Sequence, residues 1–569
     1  MTSAHWILVF LLSSTPAAPS AITADAYIER YFAVYPSRAT AEGRHDRDHE
    51  LEDFSPERRA EWAAFNRAGA AAFRARLAAN DLPFDDRLDG ELLLRQAERE
   101  LFAFETLRRP ERDPLFWSGT LANATVFLLV RDDHPEAERL ASAAARARLL
   151  PRLAAQARAA LTSADPREVV PELCEVAARQ LRGSARFYAE GFAGVTADEE
   201  LRAELRASGA AASAALDELA GFVEELAGKA SASPRLGDDY APLFRLVTGV
   251  DEPVADVLAA AEAALAAKRA ETAAYGRRVW EEVFTGVPPP EDDAVLVRRL
   301  FERVAEDRAP STDAFVAQYR ELVGEAIAFV RRRGIVEMPE PFTVHVDRSP
   351  SYFVGQAVGG VYPAGPYAPD AATLLFLPTP PDGLTDGERA AFFRDFNDHF
   401  NRMITPHEIV PGHMLQLAFA ARHPRKVRAL FADGVYVEGW GTFCERLMLD
   451  EGWGGPLDRL AHLKKQLENV ARAIVDVRVH TRGMTREEVV RFVKEEAIQD
   501  DRFAANMWQR AITWPPQLTT YYVGYRQVWG LYEDVKAARG EKFELRAFMD
   551  GMMELGPVAV EHYRRRMLE

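Results

Sequence analysis

The sequence predicts a mainly helical protein with a small β-element: a large helical body built around a deep cleft, with a metal site in its C-terminal part. Three observations predict this. From residue 22 to about 335 the chain is rich in Ala, Leu, Arg and Glu, with apolar residues at helical spacing. Near residue 336 the composition shifts toward β-branched residues, Gly and Pro. A renewed helical stretch then runs into a His-Glu pair at His407-Glu408.

The bulk properties agree with a soluble, well-cored chain. At 569 residues, 48% hydrophobic and 28% charged, it is long and apolar enough for a large core. A disordered, collagen-like or multi-span membrane protein is excluded. The balance of 87 acidic against 70 basic side chains leaves a formal charge of −17, the wrong sign for a nucleic-acid binder. Cys174 and Cys444 are too few for a disulfide scaffold or a Cys-rich zinc site, and read as two small buried hydrophobes.

Residues 1–21 read as a signal peptide. No Asp, Glu, Lys or Arg precedes Asp25, and the apolar run Trp6 to Leu12 is followed by small residues, with cleavage expected near Ser20 or Ala21. The run is too short to cross a bilayer, and no cysteine follows it to accept a lipid. Its lack of Lys and Arg leaves a buried apolar element as the competing reading. The expectation is an exported protein, periplasmic or secreted, with no stable membrane insertion after cleavage.

Residues 22–335 form the helical N-terminal region. Ala137 to Leu150, Ala211 to Ala230 and Val254 to Arg277 each show helical periodicity. Breaks are expected at Ser233-Pro234, at Gly286 to Pro290 and at Glu337 to Pro341. Residues 336–569 form the second region. Phe342 to Val346 and Ala372 to Leu377 read as strands, and Glu388 to Phe400 as one helix. Tyr352 to Gly355 and Gly359 to Tyr362 read as an edge strand able to take up an extended peptide, with Tyr352 and Gly360 as contacts, or as a plain glycine-rich loop.

The chemistry centres on His407-Glu408-Ile-Val-Pro411-Gly412-His413-Met-Leu-Gln416. Zinc hydrolases commonly place two His on one helix face, four apart, with a Glu after the first as general base. Here the spacing is six. At about 100° per residue that turns His413 roughly 120° away from His407 on an ideal helix. Pro411 and Gly412, residues that break or bulge helices, fill the gap, and a local bulge would bring the imidazoles together. Glu438, in Tyr436-Val-Glu438-Gly-Trp440, is the expected third ligand, because a helix, a turn and an antiparallel helix return it to the His pair. Glu445 lies seven residues further on the same helical face and is placed to orient a ligand. A solvated acidic stripe is the other reading of the two Glu.

His407-Glu-x-x-Pro-Gly-His413-x-x-Gln416 followed by Glu438-Gly-Trp440 resembles the bacterial family catalogued as domain of unknown function 885. That family is similar to helical zinc peptidases of the gluzincin type, such as neurolysin and the Taq-type carboxypeptidases. The resemblance extends to Arg472-x-x-x-Asp476-x-x-x-His480, to Pro515-Pro-Gln517 through Tyr521 and Gly524, and to Phe548 through Pro557. It implies a metal-dependent peptidase, exported from the cell. His407, His413 and Glu438 would hold one Zn²⁺ and so lower the pKa of water there. Glu408 would take the proton of the attacking water and deliver it to the leaving amine. His480 or Tyr521 would donate to the developing oxyanion, with Asp476 orienting His480. Arg526 would pair with a substrate carboxylate, or else form a structural ion pair.

The function expected is therefore peptide hydrolysis, with peptides as the partner. A non-peptide amide hydrolase using the same site and an exported binding protein without catalysis are the alternatives. No phosphate loop, nucleophile elbow or dinucleotide fingerprint is present.

Overall fold

The computed structural model describes residues 22–79, 81–350, 359–380 and 383–569. Residues 1–21, expected to be a signal peptide, and the expected contact Tyr352 lie outside the described residues. The described chain is mainly helical, with one three-stranded sheet. No described helix is long and apolar enough to cross a membrane.

The periodic segments of the N-terminal region fall on long helices. Ala137 to Leu150 sits in Glu136–Ser163, all but the last three residues of Ala211 to Ala230 in Glu199–Ala227, and Val254 to Arg277 in Val254–Val283. The first two join Pro171–Arg186 around an Ala- and Leu-rich cluster, where small side chains let the helices pack closely. The third packs on the C-terminal helix Pro456–Arg482 through Leu258, Leu265, Leu467 and Ile474. The largest cluster takes side chains from both sides of residue 336: Tyr27, Trp62 and Leu92 pack with Phe329, Met414, Trp440 and Phe548.

The sheet has the order β1-β3-β2, with β1 at Val344–Arg348, β2 at Gly360–Tyr362 and β3 at Thr373–Leu377. β1 runs parallel to β3 and starts two residues later than the sequence predicts. The parallel register pairs Val344 with Thr373, so the ladder begins there. β2 runs antiparallel to β3, pairing Gly360 with Phe376 and Tyr362 with Leu374, and is the outer strand of the sheet among the described residues.

The helix expected over Glu388 to Phe400 is two helices, Asp386–Asp395 and Asp398–Glu408. Asn397 makes the break: its side chain accepts from the Phe400 backbone N–H and caps a new helix. That second helix delivers His407 and Glu408 at its last turn. Helix Pro456–Arg482 runs through the interior beside it. From Leu460 to His480 only Lys464 and Arg478 escape burial, although the segment carries Lys465, Glu468, Arg472 and Asp476. Buried charges at that density need partners, and they mark the part of the core built around a polar cavity.

Candidate metal centre

The six-residue spacing is accommodated by breaking the helix. Asp398–Glu408 ends, four residues turn, and a new helix starts at His413 and runs to Arg422. The Leu415 amide donates to the Ile409 carbonyl, so the bond that spans the break skips six residues in place of the usual four. Gly412 is required at the junction. A Cβ there would lie 1.9 Å from the His407 carbonyl oxygen and 2.3 Å from that of Pro406. The result puts the two imidazole centroids 4.5 Å apart with their planes at 79°.

Glu438 comes from the helix Gly434–Asp450, which packs against Asp398–Glu408. Two glycines of this helix set the approach. A Cβ on Gly441 would meet the His407 ring at 2.8 Å, and one on Gly439 would meet the Gly524 backbone at 2.3 Å. The Glu438 Oε2 lies 3.5 Å from His407 Nε2 and 3.6 Å from His413 Nε2. These separations exceed a good hydrogen bond. They match the edges, about 3.3–3.6 Å, of a tetrahedron whose centre lies about 2.0–2.2 Å from each ligand atom. Glu438 Oε2 and His413 Nδ1 are buried without a hydrogen-bond partner among the described residues, and the three residues form a group able to hold a metal ion. Two imidazoles and a carboxylate suit zinc, so the donor set fits the expected ion.

Glu445 stands behind His407. Its Oε1 accepts from His407 Nδ1 at 2.8 Å, and Oε2 faces His462 Nδ1 at 3.2 Å. With Nδ1 carrying the proton, His407 turns its Nε2 lone pair toward Glu438. Burial alone would raise the Glu445 carboxyl, yet the two imidazoles hold it down to about 2. Burial likewise opposes a charged His407, but Glu438 and Glu445 raise it to about 10, so without a metal this site binds a proton in its place.

These groups open on a cavity of about 1130 Å³. Glu408, half-buried at the helix end, lines it beside His407, His413 and Glu438. Tyr521 lines it too: its hydroxyl accepts from Gln517 Nε2 at 3.0 Å and Arg510 Nη2 at 3.3 Å, and Arg472 stacks on its ring at 4.4 Å. Gly359, Gly360 and Val361 of the β2 edge form part of another wall.

Three expected residues lie elsewhere. His480 does not line the cavity. Its Nε2 donates to the Ala511 carbonyl at 2.9 Å, its Nδ1 accepts from the Leu236 amide at 3.3 Å, and its ring stacks on Tyr240. Both nitrogens being taken by backbone, it is a packing residue. Asp476 does not orient it; the carboxylate accepts from the Tyr240 hydroxyl at 2.8 Å and the Leu518 amide at 3.1 Å. It thereby ties the turn that carries Gln517 and Tyr521 to the central helix. Arg526 forms a two-pronged ion pair with Glu252 and stays out of the cavity, the structural alternative.

Sequence reading passed over several lining groups. Tyr319 faces the cavity, and burial together with the Glu408 charge raises its hydroxyl pKa, which keeps it a donor. Arg510 is a half-buried cation whose bonds go to neutral groups, Gln517 and Tyr521, and no carboxylate pairs with it among the described residues. Lys465 shares Glu468 with Arg472, the residue that opens the Arg472-x-x-x-Asp476-x-x-x-His480 pattern of the resemblance. His462, behind Glu445 and outside the lining, was also missed. Arg472 apart, none of these stands in a recognisable local motif.

Comparison with solved structures places the whole chain. A "putative lipoprotein of unknown function" from Shewanella oneidensis shares 26% identity, with a TM-score of 0.76 over 96% of this chain and 98% of its own. The "putative lipoprotein" from Colwellia psychrerythraea shares 16% identity and the fold, with a TM-score of 0.79 over 95% of this chain and 97% of its own. A comparison with curated proteins gives no match. The family of bacterial proteins of unknown function called DUF885 matches residues 36–567, and the chain belongs to it.

Proposed function

We propose that this protein is an exported zinc-dependent peptidase, related to the helical gluzincins, whose cavity serves as the substrate cleft. The observation that carries the reading is the convergence of His407, His413 and Glu438 beside the Glu408 carboxylate on one cavity wall. A zinc ion bound by the first three would supply Lewis acidity and bring the pKa of water toward neutrality. Glu445 would keep His407 in the ligating tautomer and fix its ring.

Glu408 takes the proton of the water that attacks the peptide carbonyl, and returns it to the departing amine nitrogen. The carbonyl oxygen gains negative charge in that step. The Tyr521 hydroxyl and the Arg510 guanidinium, already bonded to one another, are the donors that meet it. His480 has no part in this step. Two features favour a peptide over a compact amide. Among the described residues β2 is the outer strand of the sheet and borders the cavity, so an extended chain lying there would run alongside it. The walls carry Lys465, Arg472, Arg502 and Arg510, which suit carboxylates of a peptide. Export is supported by the leader-like residues 1–21 and by the lipoprotein descriptions of the two similar structures.

The test is hydrolysis of a peptide library by the wild type and by Glu408→Gln at equal zinc content. The proposal expects cleavage by the wild type and at least about a 100-fold loss in the variant, the scale of general-base catalysis. Cleavage surviving in Glu408→Gln, or none in zinc-loaded wild type, overturns it.

A further inference from the structure

A second cluster of chemistry-bearing side chains lies far from the cavity site in sequence. His45 and Asp48 belong to the turn after helix Pro36–Ala41. Asp133 and His134 belong to the short link between helices Val126–Val130 and Glu136–Ser163. The two imidazoles lie close together, centroids 3.8 Å apart with their planes tilted by 32°. The carboxylates close a ring around them. Asp48 Oδ2 lies 2.9 Å from His45 Nδ1 and 3.2 Å from His134 Nε2. On the other side, Asp133 Oδ1 lies 3.0 Å from His134 Nδ1, and Asp133 Oδ2 lies 3.4 Å from His45 Nε2.

The two carboxylates are buried, with side chains only 5% and 4% exposed. Arg131 and Arg146 lie near these two negative charges, but their guanidiniums donate mainly to backbone carbonyls. Protons on the imidazoles or one divalent cation would add the positive charge inside the ring itself, and the geometry separates the choices. Asp48 Oδ2 hydrogen-bonds His45 Nδ1 and lies within 3.2 Å of His134 Nε2, while its Oδ1 accepts from Thr40, so both of its oxygens are engaged. Asp133 Oδ2 and His45 Nε2 face each other, yet neither has a hydrogen-bond partner among the described residues. Their 3.4 Å separation is the ligand-to-ligand edge of a zinc-sized site. Orientation of metal-ligating imidazoles by a carboxylate on the far nitrogen is the usual arrangement. Asp48 does this for both rings at once.

We propose that His45, Asp133 and His134 form a second, structural divalent-cation site, with zinc the best-suited ion and Asp48 orienting both imidazoles. Its place gives it a purpose. Next to it Arg131 donates to the carbonyls of Ala41 and Pro363, and the Tyr367 amide donates to the Glu42 carbonyl. The ion would clamp together two N-terminal loops that hold the segment leaving β2, and so steady the strand that edges the cavity.

The test uses full-length protein carrying His413→Ala, so that the cavity site is silenced whichever way its own role is decided. The chain is stripped with a chelator and titrated with zinc, reading bound zinc by mass spectrometry and melting by circular dichroism. The proposal expects one zinc per chain. It also expects a melting point higher by roughly 2 °C at a zinc concentration about 100 times Kd, given a chain of this length. Adding Asp133→Asn removes both effects with the helical spectrum intact. Should that variant misfold, His45→Gln, at a partly exposed position, serves in its place. No zinc bound by the His413→Ala chain, or equal binding after Asp133→Asn or His45→Gln, overturns the proposal and leaves a proton-balanced network.

Discussion

The indole Nε1 of Trp440 donates a 2.7 Å hydrogen bond to the backbone carbonyl of Pro411. The bond joins the helix that carries Glu438 to the four-residue break between His407 and His413. Trp440 is fully buried, so the break is held by a polar anchor inside an apolar wall. Two parts of the sequence that look like separate motifs, Pro411-Gly412-His413 and Glu438-Gly439-Trp440, are thus one piece of architecture.

Trp440→Phe tests that anchor. The substitution keeps an aromatic ring, though a smaller one, and leaves the Pro411 carbonyl without its donor, at a cost of at least about 1–3 kcal/mol. The expected result is a lower denaturant midpoint together with weaker zinc binding. Zinc affinity equal to the wild type's would mean the break holds its shape without the indole.

Glu445→Gln weakens the hold on His407. A neutral amide accepts less strongly from Nδ1 and no longer fixes the tautomer, and changes of this kind typically cost about 10–100-fold in metal affinity. Competition with a chromogenic chelator measures it. Unchanged affinity would show that His407 is positioned by packing against Gly441 alone.

Gly524→Ala wedges the site apart. The added methyl would lie 2.0 Å from the Val435 carbonyl oxygen and 2.7 Å from Gly439 Cα, both backbone. Helices Gly434–Asp450 and Thr520–Arg539 must separate, which draws Tyr521 away from Glu438. Expected are a destabilisation of about 1–3 kcal/mol or more and a fall in catalysis larger than the fall in zinc content. Intact activity would remove the helix contact from the account.

His480 makes stability fall in acid. Burial lowers its pKa to about 4, below the ordinary 6.5, so the unfolded chain takes up the proton first. Its contribution is intact above about pH 6.5 and is lost as pH falls through about 4, on the order of 3 kcal/mol in total. Urea unfolding at pH 7.5 and 5 checks this, with His480→Gln expected to flatten the slope. An equal slope in the variant would assign the acid sensitivity elsewhere.

The site was legible where the chemistry is local. His407, Glu408 and His413 share one short motif, and Glu438 follows within a turn of chain that geometry can close. The manner of closure was not: Pro411 and Gly412 announce a disruption, but a bulge and a break look alike until Trp440 is seen holding the loop. The helical body and both flanking strands were readable from periodicity, while the split at Asn397 was not, because its one signal, an N-cap Asn followed by Asp398, sits between two stretches of helical spacing. His480 misled because its spacing from Asp476 is ideal, yet the ring turns toward Tyr240. Arg510, Tyr319 and the pairing of His45 with His134 arise from contacts between distant segments, which no spacing records.

Zinc content of the purified chain, wild type beside His413→Ala, tests the central claim most directly. The account predicts that the wild type holds one more zinc per chain than the variant, with both equally helical. Equal zinc in the two would mean that the broken helix does not bring His407, His413 and Glu438 to one ion.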